Sequence, residues 1–115
     1  MLILGKKGLN MEYNFALPFA HVDEFNKEKL AITFQRGKDD YQVVAFSRED
    51  WENLPNNYTI EDDRFDPENL RSLTIEYYRS EDGTSSYSQT LRIPPVCVDE
   101  FERIVREVDF DTIVE

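Results

Sequence analysis

Residues 73–108 read LTIEYYRSEDGTSSYSQTLRIPPVCVDEFERIVREV, and this stretch predicts a strand, a polar turn, a return strand and a helix. Leu73 and Ile75 alternate with polar residues, which is the period-two pattern of a strand with one buried face. The polar stretch that follows contains Gly83 and suits the turn of an antiparallel hairpin. Pro94 ends the return strand because proline cannot donate a hydrogen bond to a sheet.

The helix at the end of this stretch carries an apolar stripe at helical spacing. Its members are Val98, Phe101, Ile104, Val105 and Val108. A shorter helix is predicted to begin at Ser47, whose side chain can cap it, and to end by Pro55. Trp51 of that helix matches Phe101 in position, so we expect it in the core rather than at an interface. Residues 55–70 are mostly polar and are predicted to form an ordered loop.

The same order of elements occurs earlier in the chain. Residues 30–36 (LAITFQR) resemble residues 73–79 (LTIEYYR), and each is followed by a polar turn, a strand that opens on tyrosine and a short helical segment. Residues 15–25 (FALPFAHVDEF) similarly parallel residues 91–101 (LRIPPVCVDEF), which predicts a helix that starts at residues 22–25. Duplication of a strand-turn-strand-helix unit and chance similarity both explain the repeat.

We therefore expect an α+β fold, in which a mainly antiparallel sheet of about five strands has helices packed on one face. A chain of 115 residues, 40% of them hydrophobic, suits a single domain with its own core. Residues 1–10 are expected to be a leader or a disordered arm, with Met11 as an alternative start. Residues 109–115 are expected to be a loose tail or an edge strand.

Charge is distributed unevenly along the chain, whose formal net charge is −11. All five lysines lie within residues 1–38, which carry six bases against four acids. Residues 39–115 carry seven arginines against twenty acids, a sum of −13. Such a field attracts basic partners and opposes direct binding of nucleic acid. The single cysteine, Cys97, excludes an intramolecular disulfide and predicts a reducing, cytoplasmic location.

The acids are densest between residues 61 and 68, where five of them occur in eight positions, and two more follow in the second hairpin turn. The seven acids are Glu61, Asp62, Asp63, Asp66, Glu68, Glu81 and Asp82. Carboxylates can bind calcium or magnesium, but the spacing of a calcium loop with its central glycine is absent. A solvated acidic loop and a protein-binding surface both explain the cluster. We predict that these residues contact a partner protein and that no metal is bound.

His21 and Cys97 are the only histidine and cysteine of the chain. Each precedes a Val-Asp-Glu-Phe run, so each is expected to open its own helix, far from the other. A thiol–imidazole pair is therefore not predicted, and a zinc site would need more ligands of these types. The sequence predicts neither catalysis nor a cofactor.

Residues 46–54 (FSREDWENL) close the first strand-turn-strand unit with a helix that starts on acidic and aromatic residues. Strands that lead into such a helix resemble the Pur and Whirly-type single-stranded nucleic-acid binders. That resemblance implies a curved antiparallel sheet packed on a helix, with bases bound on the sheet face. Tyr78, together with Tyr41 or Tyr87, would supply the exposed aromatic strip for stacking.

We expect a non-enzymatic acidic protein that binds a basic surface of a partner protein. The class that fits this chemistry is an inhibitor or immunity-type protein of a nucleic-acid-handling enzyme, including the anti-restriction and anti-CRISPR kind. Its carboxylates would occupy the positions of phosphates. Single-strand binding is the alternative function, and an adaptor or secretion chaperone is also compatible with the acidity. The sequence leaves open whether the chain forms a homodimer.

Overall fold

The computed structural model describes residues 2–4, 14–37, 39–78 and 86–114, and these form an α+β fold. The described strands are β1 (Leu2–Leu4), β2 (Asn14–Ala16), β3 (Phe19–Val22), β4 (Leu30–Gln35), β5 (Tyr41–Phe46), β6 (Tyr58–Asp62), β7 (Arg71–Tyr78) and β8 (Ser86–Ile93). The described helices are α1 (Arg48–Asn53), α2 (Pro95–Glu107) and α3 (Phe110–Ile113), with a 3₁₀ turn (Leu54–Asn56) directly after α1. None of them is long and apolar enough to cross a membrane.

The described strands form three antiparallel sheets, not one sheet of about five strands. A small sheet pairs β1 with β2, the N-terminal sheet has the order β3-β4-β5, and the C-terminal sheet has the order β6-β7-β8. The chain turns away through α1 and the 3₁₀ turn when it leaves β5. It then starts β6, which pairs with β7 and not with the first hairpin.

Both three-stranded sheets are meanders that lead directly into a helix, so the order strand-strand-strand-helix occurs twice. Within the similar segments, residues 30–35 form the central strand β4 and residues 73–78 lie in the central strand β7. In the turn after β4, Gly37 adopts a φ of 79°, a conformation that glycine accepts without strain. Common descent of the two units stays a hypothesis.

Four local predictions differ from the structure. The segment predicted as a loop, residues 55–70, contains the strand β6. Residues 22–25, predicted to start a helix, instead end β3 and enter a turn. Residues 110–113 form α3 with Phe110 buried, where a loose tail or edge strand was expected. Part of the expected N-terminal arm is β1, and the rest of residues 1–10 lies outside the described residues.

The core lies where α2 packs against the inner faces of both three-stranded sheets. Phe101 of α2 is fully buried, and its ring centroid lies 6.1 Å from that of Phe34 in β4. The ring centroid of Tyr58 in β6 lies 5.1 Å from that of Phe101, and the two rings are nearly perpendicular at 87°. One helix therefore connects two sheets that share no strand.

The short helix α1 follows the prediction closely. The Ser47 hydroxyl accepts a hydrogen bond from the backbone N–H of Asp50 at 3.1 Å and so caps the helix. Trp51 is buried and packs edge-on against Phe46, with ring centroids 5.6 Å apart. The prediction that Trp51 belongs to the core is confirmed.

Candidate interaction surfaces

The predicted acidic surface lies at the edge of the C-terminal sheet. Residues 61–68, here called the acidic segment, comprise the end of the edge strand β6 and most of the connection to β7. Glu61, Asp62 and Glu68 are exposed, and Asp66 is half-buried. Three carboxylates of this segment are therefore open to a partner.

Asp63 lies in the same run of acids but is only 1% exposed. Its carboxylate accepts hydrogen bonds from Arg92, with Oδ2 2.6 Å from Nε and Oδ1 3.0 Å from Nη2. The same carboxylate accepts the backbone N–H groups of Phe65 at 2.8 Å and Asp66 at 2.9 Å. The Arg92 hydrogen bond lowers the Asp63 pKa to about 2, against burial, and the two N–H groups contribute in the same direction. Through these hydrogen bonds the buried Asp63 carboxylate fixes the backbone of the acidic segment.

Two more acids help to hold the segment in place. The Asp66 carbonyl accepts the N–H groups of Asn69 and Leu70, and its carboxylate accepts the Asn69 side-chain amide at 2.9 Å. Asp62 lies 3.5 Å from Arg71, an exposed pair of modest strength. These contacts pre-order the segment, while Glu81 and Asp82 of the predicted surface lie outside the described residues.

The Asp63–Arg92 pair predicts an acid-dependent loss of stability. The folded chain keeps Asp63 ionised down to a pKa of about 2, whereas an unfolded aspartate titrates near its ordinary pKa of about 4. The free energy of unfolding should therefore fall as the pH drops from about 4 to about 2. Glu100 beside Arg103 and Asp111 beside Arg48 also have lowered pKa values and add to this trend.

Urea denaturation at a series of pH values measures this dependence for the wild type and for Asp63→Asn. The variant should show a shallower loss of stability below pH 4, because its amide at position 63 cannot titrate. Equal slopes for the two proteins would contradict the assignment to Asp63.

His21 and Cys97 lie on opposite sides of the N-terminal sheet. His21 is in β3, where Nδ1 donates to the Val22 carbonyl at 2.8 Å and Nε2 lies 2.6 Å from the Thr33 hydroxyl. Cys97 is buried in α2 with Sγ 3.4 Å from the Ala16 carbonyl, and burial raises its pKa to about 12. A thiol held protonated is a poor nucleophile. The expected separation is observed, although His21 lies in a strand and not at a helix start.

The structure gives equally little support to a metal site or an anion site. Among the described residues, no group of three or more His, Cys, Asp or Glu side chains could hold a metal ion. A cavity of about 280 Å³ beside Phe34 and Cys97 is bordered by two arginines, Arg36 and Arg92. Arg36 pairs with Asp40 at 2.7 Å and Arg92 pairs with Asp63, so an anion there would compete with ion pairs already formed.

The outer faces of the two larger sheets differ in chemistry. On the C-terminal sheet, Thr59, Thr74 and Thr90 form one row across the three strands, and the hydroxyls of Thr74 and Thr90 lie 2.9 Å apart. The neighbouring positions of that face are occupied by Glu61, Ser72, Glu76, Ser88 and Arg92. This is the polar composition expected for a sheet face in water.

The N-terminal sheet instead exposes apolar side chains on its outer face. Phe19, Tyr41 and Val43 are 51%, 57% and 47% exposed, and Phe25 from the next loop is 93% exposed. Together with Ala45 these residues form what we call the open apolar face, which borders a groove of about 660 Å³. Sequence reasoning missed this face. The available signal was the absence of alternation in the run of Val43 and Val44.

The aromatic strip implied by the Pur and Whirly resemblance is not continuous. Tyr41 belongs to β5 of the N-terminal sheet, whereas Tyr87 belongs to β8 of the C-terminal sheet. Tyr87 stacks on Tyr77, its partner in register, with ring centroids 6.1 Å apart and planes 22° apart. Tyr41 and Tyr87 therefore lie on different sheets and do not belong to one aromatic strip.

Two surfaces are thus the candidates for function: the acidic segment and the open apolar face. No protein-family model, no curated protein and no solved structure matches the chain. The acidic segment is pre-ordered by an internal ion pair, and the open apolar face leaves large side chains in water. Both properties are typical of surfaces that bind other proteins.

Proposed function

We propose that this chain is a non-enzymatic binding protein whose acidic segment docks on a basic surface of a partner protein. The observation that supports this most directly is that the carboxylates of the segment differ in burial and in ion pairing. Asp63 is neutralised internally by Arg92, while Glu61, Asp62 and Glu68 project from an ordered edge. A surface ordered before binding loses little conformational entropy when the partner arrives.

The partner chemistry follows from the charge. Enzymes that handle nucleic acid carry clustered Lys and Arg side chains that neutralise phosphates, and such a surface is complementary to exposed carboxylates. A net charge of −11 would steer the chain toward that surface over distances of about a Debye length. We therefore favour an inhibitor or immunity-type role, of the anti-restriction or anti-CRISPR kind, with carboxylates in phosphate positions. A single, free cysteine fits a cytoplasmic location for this chain.

The proposal predicts a position-specific effect of charge reversal. The variant E61K/D62K/E68K should lose at least about tenfold in affinity for its partner, because three favourable contacts become repulsive. The matched control E49K/E52K/D99K has the same net charge and reverses three exposed acids on α1 and α2. It should retain most of the affinity, and binding by the wild type should weaken as salt rises.

Proteins captured from a native-host extract by each variant, identified by mass spectrometry, provide the measurement. A basic nucleic-acid enzyme that binds the wild type and the control, but not E61K/D62K/E68K, supports the proposal. Equal capture by the two variants would contradict the assigned surface. A gel shift with short single-stranded DNA at low salt distinguishes the alternative function from the proposed one. Slower migration of the DNA in the presence of the protein would favour single-strand binding.

A further inference from the structure

The open apolar face differs in composition from the outer face of the C-terminal sheet. The two three-stranded sheets have the same meander order, and α2 covers the inner face of each. Both outer faces face water in the described structure. The outer face of the C-terminal sheet carries hydroxyl and charged groups throughout. That of the N-terminal sheet has His21 and Thr33 as polar groups, beside the exposed side chains described above. Large exposed apolar patches on soluble proteins mark interaction sites. Among the described surfaces, the outer face of the N-terminal sheet is therefore a candidate interface.

Charge indicates that this partner is a second copy of the chain. The rim of the face is formed by the loop between β3 and β4, which has both signs of charge. Its charged residues in contact with solvent are Glu24, Lys27, Glu28 and Lys29, whose charges sum to zero, whereas Asp23 is buried. A two-fold contact can place the lysines of one copy against the glutamates of the other, so the rim is complementary to itself. The acidic segment belongs to the other sheet, so its exposed carboxylates are not part of this face.

The size of the face is sufficient for a dimer. Its four large side chains contribute on the order of 500 Å² from each copy, or roughly 1,000 Å² in total, where specific interfaces begin. The central residues Thr33 and Ala31 are already buried in the single chain, so they contribute little of this area.

We propose that the open apolar face is the interface of a homodimer, in which two copies pack their N-terminal sheets outer face to outer face. This inference does not depend on the proposed function. The two make opposite predictions about salt. Screening weakens the attraction between the acidic segment and a basic partner, whereas it reduces the repulsion between two copies that each carry −11. Screening also weakens the lysine–glutamate pairs at the rim, but exposed pairs contribute little, so the net effect should be a tighter dimer at high salt.

Sedimentation velocity over a range of protein and salt concentrations tests the proposal. The wild type should form a dimer that dissociates on dilution and strengthens as salt is added. The variant F19T/V43T, which places threonine, a residue that favours strands, at both positions, should weaken the dimer at least tenfold. The control F65T/V96T removes two other exposed apolar side chains, outside this face, and should behave as the wild type.

Two outcomes would overturn the proposal. A wild type that stays monomeric at every concentration and salt would exclude it, whatever the variants do. A dimer that persists in folded F19T/V43T would assign the interface to another surface. Circular dichroism identifies the folded samples, and the wild-type experiment decides the question even if the variant does not fold. A monomeric wild type that binds a different protein through this face also rejects the second copy as occupant.

Discussion

Replacement of Phe101 by alanine is expected to lower the free energy of unfolding by about 3–5 kcal/mol. Phe101 is fully buried in α2 and touches an aromatic ring from each of the two larger sheets, Phe34 and Tyr58. The cavity would open between two sheets that share no strand. If α2 moved toward one sheet to fill it, the helix would lose contact with the other sheet, so relaxation would recover little stability. A domain of this size has only about 5–15 kcal/mol of stability, so the loss is a large share.

Urea denaturation followed by circular dichroism provides the measurement. Val105→Ala is the matched control, because Val105 lies on the same helix but is only half-buried, and its loss should be near 1 kcal/mol. Phe101→Leu should recover part of the stability by filling some of the cavity. An effect of Phe101→Ala no larger than that of Val105→Ala would show that α2 does not hold the sheets together.

Replacement of Asp63 by alanine should cost about 3 kcal/mol, the second largest effect that we expect. The change leaves the Arg92 guanidinium without its carboxylate and two backbone N–H groups, of Phe65 and Asp66, without an acceptor. Arg92 keeps some contact with water, which limits the penalty. The control Asp62→Ala removes an exposed carboxylate 3.5 Å from Arg71 and should cost less than about 1 kcal/mol.

A double-mutant cycle with Arg92→Ala isolates the interaction between the two side chains. The two single variants should lose similar amounts of stability, and the double variant should lose less than their sum. Similar losses for Asp63→Ala and Asp62→Ala would mean that burial of Asp63 has no energetic consequence. Strict additivity in the cycle would likewise contradict a stabilising Asp63–Arg92 pair.

One tetrapeptide shows that a short sequence pattern does not by itself determine secondary structure. Val-Asp-Glu-Phe occurs at residues 22–25 and again at 98–101, and only the second copy is helical. In the second copy Pro95 starts the helix, and the apolar stripe continues to Ile104. In the first copy Asn-Lys-Glu-Lys follows, which provides nothing to bury. There the Asp23 carboxylate accepts the Asn26 N–H at 2.9 Å, a turn contact.

The missed strand β6 has a related explanation. Its residues Tyr58 and Ile60 do alternate with polar residues, but the strand lies within a mostly polar stretch. It becomes a strand because the free edge of β7 supplies its hydrogen-bond partners, which a local pattern does not reveal. The hairpins β4–β5 and β7–β8 were predictable because each combines alternation with a short polar turn.

The sequence by itself determined the net charge, the two hairpins, the cap of α1 and the apolar stripe of α2, because each depends on composition or on residues within one element. Only the tertiary structure decided that Asp63 turns inward while its neighbour Asp62 stays exposed, since Arg92 lies 29 positions further along the chain. Only the tertiary structure likewise brought Phe19, Tyr41 and Val43 together as exposed side chains on one sheet face of the described chain. Burial and ion pairing join residues that are distant in sequence, and local periodicity carries no information about which distant residues meet.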